Sequence, residues 1–161
     1  MKYVLTPSNR EHIAVHFGKP VKSGSVFYQE LFPDVDALLG VLENRKPCSI
    51  VYQSSLREAH TYDLSDIGAC GTVGVGLKSA FAERELLREN RNGFLVEYAV
   101  VDELPSVALV TVICSREEGE YRLITLFPGA YAPAFPHEGM ASEELRQATD
   151  FWKKNILLKR K

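Results

Sequence analysis

The sequence is short of most features that would place it in a specialised class. Its 161 residues contain no apolar run long enough to cross a bilayer as a helix. Met1 to Thr6 lacks the basic start and long apolar core of a secretory signal, so a cytoplasmic chain that does not enter the membrane is expected. Cysteine is sparse. Cys48, Cys70 and Cys114 are odd in number and have no Cys-x-x-Cys spacing, which argues against a disulfide framework or a cysteine zinc site and in favour of buried thiols. Net charge is equally scarce: a balance of -2 gives no field to draw in nucleic acid or anionic lipid, and such binding would need a local basic patch. No internal repeat, low-complexity tract or interdomain linker interrupts the chain. Its length suits a single domain over 1–161 that buries its core without metal or disulfide staples. A composition 45% hydrophobic and 25% charged is that of an ordinary globular protein.

The strongest signal lies between Val107 and Pro128. Two runs dense in β-branched and aromatic residues, 107–114 and 121–127, flank a charged segment containing Gly119 and read as a β-hairpin. Both faces of each run are largely apolar, which puts these strands mid-sheet with cover on at least one face. Residues 94–101 read as a preceding strand, giving an antiparallel meander over 94–128. Lys2 to Leu5 and Cys48 to Gln53 read as further strands, and 26–32 is ambiguous between strand and extended chain.

Helices are expected near 9–17, 34–45, 77–90 and 142–156. The first starts from a capping-box pattern of Ser8 and Glu11 and ends at Gly18 in a left-handed cap. The second is capped by Asp34 and carries Val35, Leu38, Leu39 and Leu42 at helical spacing. The third rests on residue preference and stops at Asn92 and Gly93. The fourth is capped by Ser142, with Leu145, Ala148, Trp152 and Ile156 as its buried stripe. The expected fold class is therefore α+β: an antiparallel meander sheet packed with about four helices.

Chemistry has few carriers. The glycine-rich segment 68–76 is not a phosphate loop, because Leu77 separates Gly76 from Lys78 and Ser79. Nor is it a dinucleotide fingerprint, because Ser79 stands where the third glycine belongs. It can bring a backbone close to a ligand or simply turn the chain. His12 and His16 lie four apart on the first helix and stack on one face. Ile13 occupies the position where a metalloprotease helix carries Glu, no third ligand is nominated, and neither a metal nor a cofactor is expected. The pair can instead be surface histidines, or acid/base groups titrating near neutral pH. Cleavage of an RNA phosphodiester needs a base, an acid and donors to the phosphate. His12, His16, Lys19 and a hydroxyl from a central strand supply these types. Thr125 is such a hydroxyl, expected on the same face as Tyr121.

His16-Phe17-Gly18-Lys19 early in the chain and Tyr121 to Pro128 late in it resemble the two ends of the small bacterial toxin ribonucleases of the barnase/EndoU/colicin/RelE group. The nearest resemblance is to the RNase A-like toxin domains of contact-dependent inhibition systems. It implies a metal-independent ribonuclease-like domain with RNA as substrate, a neutralising protein as a possible partner, and His16, Thr125 and Tyr121 as site residues. The rival reading is a non-enzymatic binding or regulatory module that uses the loops at 54–76 and 129–139. The second of these, rich in proline and aromatics, is apolar enough to form a contact surface, although such aromatics also serve to cover a core.

Overall fold

A computed structural model of the chain describes residues 1–18, 24–54, 56–91 and 93–161. Lys19 and Asn92 lie outside the described residues. The chain divides into two units, one of Met1–Thr72 with Ser106–Tyr131 and one of Val73–Pro105 with Ala132–Lys161.

The first unit begins with strand β1 (Tyr3–Val4). Thr6 caps helix α1 (Pro7–Ile13) by accepting from the Asn9 N–H, with Pro7 in the first turn, where a missing N–H costs nothing. The cap is thus Thr6 rather than the expected Ser8. The helix tightens into a 3₁₀ turn, Ala14–Phe17, and stops at Gly18, whose φ of 82° is the left-handed cap that the sequence called for. After β2 (Val26–Phe27), Asp34 caps helix α2 (Val35–Leu42), accepting from the Ala37 N–H at 2.9 Å. Strands β3 (Ser49–Tyr52), β4 (Arg57–Asp63) and β5 (Gly71–Thr72) follow.

The chain then builds part of the second unit with β6 (Val75–Leu77), β7 (Leu87–Arg91) and β8 (Phe94–Val101). It returns to the first through β9 (Ser106–Val107), β10 (Leu109–Glu117) and β11 (Glu120–Pro128). Helix α3 (Ser142–Lys154) and β12 (Asn155–Arg160) complete the second unit.

In the first unit five strands run in the order β1-β11-β10-β4-β3, so the hairpin β10–β11 lies inside the sheet with β10 at its centre. Glu118 and Gly119 close that hairpin with φ of 52° and 79°. Two successive positive values match a two-residue turn whose twist suits the flanking strands. One face of the sheet carries Val110, Val112, Leu123 and Leu126, on which Ile13 and Phe17 of the first helical segment and Leu38 and Leu42 of α2 pack as one core. A smaller sheet, β2-β5-β9, completes this unit. The second unit holds the sheet β6-β12-β8-β7, in which β12 runs parallel to β8 and buries Ile156 and Leu158.

The expected α+β meander with about four helices is not the architecture. The chain is mostly β, with three α-helices among the described residues and three sheets, two of them mixed. Strand β8 does not continue into the hairpin; it pairs with β7 and β12 in the other unit. Residues 77–90 are the end of β6, two 3₁₀ turns and β7 rather than a helix. Their helical preference is worth only tenths of a kcal/mol per residue, whereas pairing with β8 satisfies the backbone of 87–91 outright. The last helix ends at Lys154, and Ile156 is a strand residue.

Gly71 shows what the glycine-rich segment is for. A Cβ there would collide with the Val26 carbonyl and stand 3.0 Å from the Phe27 Cα and 3.1 Å from the Pro128 Cβ, so the bare backbone of β5 is what lets β2 lie against it. Gly71→Ala is expected to lower the unfolding free energy by about 1–3 kcal/mol, the range for overpacking a close contact. Urea titration checks this, and an unchanged midpoint with unchanged slope would contradict it.

Candidate functional sites

The residues singled out from the sequence do not form one constellation. His12 is exposed on α1. His16, on the 3₁₀ turn, is half-buried, with Nδ1 2.7 Å from the Ser25 carbonyl and its ring 6.3 Å from that of Phe127. A carbonyl only accepts, so Nδ1 carries the proton and the neutral ring keeps its lone pair on Nε2. Burial lowers the His16 pKa; the Ser25 carbonyl opposes this, and a charge on nearby His12 adds to it.

Thr125 and Tyr121 are separated by a bulge. Cys114 faces Leu123 while Ile113 faces Thr125, which leaves Ile124 as an extra residue in β11. A one-residue slip exchanges the faces of a strand. Tyr121 and Leu123 therefore share the face that carries the core, and Thr125 and Phe127 take the other, contrary to the single face expected. His16 reaches β11 at Phe127, two residues from Thr125, while Tyr121 belongs elsewhere.

Tyr121 lies against a buried polar chain that the sequence did not reveal. Its ring meets the His60 ring edge-on at 5.2 Å. His60 Nε2 donates to the Glu58 carboxylate at 2.6 Å. In the neutral ring Nδ1 is then the acceptor for the Tyr3 hydroxyl at 2.8 Å, and Tyr62 donates to the Tyr3 oxygen at 2.5 Å. His60 and Tyr62 are fully buried and Glu58 is 6% exposed. Burial pushes both phenols above their ordinary range. It also pushes the Cys114 thiol, 3.9 Å from each His60 nitrogen, up to about 12, helped by the Glu58 carboxylate.

A thiol so held stays protonated and is no nucleophile at neutral pH, and both His60 nitrogens are engaged within the chain. The arrangement orients and locks side chains rather than presenting them to a substrate. Glu58, His60 and Tyr62 alternate with Ala59 and Thr61 along a strand buried on both faces, so no apolar alternation marks it in the sequence.

The second unit offers a different site, a groove of about 160 Å³ between β8, α3 and the segment before that helix. Trp152 and Phe135 form one wall with ring centres 4.2 Å apart, and the Trp152 indole N–H donates to the Pro133 carbonyl at 3.1 Å. Phe94 and Val96 line the groove, with Glu97 and Lys153 also in its lining. The Arg91 guanidinium stands 5.8 Å over the Phe135 ring. Leu95 is 72% exposed. The wall residues come from three distant stretches, which no local motif records.

Among the described residues no three His, Cys, Asp or Glu side chains are placed to hold a metal, and no helix is long and apolar enough to cross a membrane. No family model and no curated protein matches the chain. Its fold is similar to a crystal structure of a conserved hypothetical protein from Toxoplasma gondii ME49, with a TM-score of 0.57 and 12% identity over 98% of this chain and 94% of that one. At that identity the likeness shows the fold alone.

The lowered His16 pKa has a consequence for stability. The unfolded chain takes up a proton at this residue as pH falls through its ordinary value of 6.5, whereas the native ring resists until lower pH. Stability that is present above 6.5 is therefore lost below it. Urea midpoints between about pH 7.5 and 5 are expected to fall in the parent protein and to fall less in His16→Gln. Parallel profiles would contradict a buried neutral ring.

Proposed function

We propose that this chain is a non-enzymatic binding module that takes an apolar side chain of a protein partner into the groove of the second unit. The observation that carries the reading is the pairing of Trp152 with Phe135 beside an open apolar lining, next to the exposed Leu95. Size supports a protein side chain over a metabolite, since 160 Å³ is well below the roughly 300 Å³ at which small-molecule sites begin. Tryptophan and other aromatics are the residues on which contact energy concentrates, and Glu97 and Lys153 supply the polar groups that set orientation.

Ribonuclease-type chemistry keeps one supporting observation, the tautomer of His16 fixed by Ser25 beside the strand that bears Thr125. It asks for several side chains in one cleft, and Tyr121 on the opposite face of the sheet is not among them. Lys19 lies outside the described residues.

Linear peptides selected from a random library against the protein are expected to shift the emission of Trp152, the single tryptophan. Their affinity by calorimetry is expected to drop roughly tenfold or more in Phe135→Ala and in Leu95→Asp, the loss typical of an interface anchor. Peptides that bind without disturbing Trp152, or RNA cleaved by the parent protein and spared by His16→Ala, would overturn the reading, the second in favour of the ribonuclease.

A further inference from the structure

The free edges of the sheets are not alike. Edge strand β7 carries Arg88, Glu89 and Arg91, which pair with each other and with Glu97 and Lys159, and charge of this kind blunts an edge against another strand. Strands β1, β2 and β9 are two residues long and β6 is three. Strand β3, at the end of the five-stranded sheet, has none of these protections. Ser49, Ile50, Val51 and Tyr52 are uncharged and lack proline and glycine. Ile50 is 39% and Tyr52 66% exposed.

We propose that β3 is the docking surface for a second copy of this chain, the two strands pairing antiparallel about a two-fold axis at Val51 so that two five-stranded sheets become one. Two features favour a second copy over a foreign strand. The edge carries no charge with which to select a partner of opposite sign. It is also self-complementary: partners across an antiparallel pair share a face, so this axis sets Ile50 of each copy against Tyr52 of the other, an aliphatic–aromatic pair made twice.

Pairing at β3 also covers a rim of the buried polar chain, because Tyr52 is the register partner of Glu58 and Ile50 that of His60.

Four residues give a contact smaller than the roughly 1,200 Å² of a stable interface, so the dimer is a weak one in the micromolar range or above. Sedimentation of the full chain from ~10 to ~500 µM, which spans that range, is expected to show a mass rising from 18.0 kDa towards twice that value. Tyr52→Lys and Ile50→Lys are each expected to stay monomeric with unchanged circular dichroism. Leu95→Asp, in the groove of the other unit, is expected to dimerise like the parent. A parent protein of constant 18.0 kDa across the range would overturn the proposal. So would folded Tyr52→Lys and Ile50→Lys variants that still dimerise.

Discussion

The buried contact between Glu58 and His60 is the constraint around which the first unit is arranged. Taking a carboxylate and a polar ring out of water is costly, and only close pairing with further hydrogen bonds offsets it. The offset here is supplied by Tyr3 and Tyr62, which complete the chain from the carboxylate to the last hydroxyl. Tyr3 arrives on β1, a strand of two residues that pairs with β11 through only Tyr3 and Val4. A strand so short gains little from its ladder; its placement is explained by the hydroxyl that it delivers. The same contact fixes the face of β4, because a slip of one residue would carry Glu58, His60 and Tyr62 away from Tyr3 and put Ala59 and Thr61 in their place.

The two units differ in what they leave open. The buried cluster of titratable groups in the first unit has its members occupied with one another, and burial raises the Tyr3 and Tyr62 phenols and the Cys114 thiol out of the range where they exchange protons at neutral pH. The second unit has few such groups in its groove but leaves apolar rings open beside the exposed Leu95. Polar groups that satisfy one another stabilise a fold, while apolar groups left uncovered are available to a partner.

Local chemistry was legible in the sequence and long-range pairing was not. The β10–β11 hairpin, the stop at Gly18 and the Asp34 cap of α2 each depend on residues within a few positions of one another, and all stand in the structure, whereas Ser142 is the first residue of α3 rather than its cap. Strand β8 reads as a strand from its own residues, yet its partners, β7 before it and β12 more than fifty residues on, are chosen by what covers its faces. Strand β4 has no readable alternation, because it is buried on both faces and one of them carries Glu58, His60 and Tyr62. The Ile124 bulge has no signature of its own, and it alone moves Thr125 off the face of Tyr121. Of the candidate sites, the His12/His16 spacing was legible, whereas the groove joins residues 94–97 to 135–136 and 149–155 and exists only after folding.

The central claim is that the polar chain of the first unit serves the fold while the groove of the second serves binding. Tyr3→Phe tests it most directly, since it deletes one hydroxyl that touches both His60 and Tyr62. Measured by urea titration and by peptide calorimetry on the same sample, the variant is expected to lose about 1–3 kcal/mol of stability, the cost of leaving buried partners unsatisfied, and to bind groove peptides as the parent does. A variant as stable as the parent that has lost its peptide binding would contradict the claim and move the functional site to the first unit.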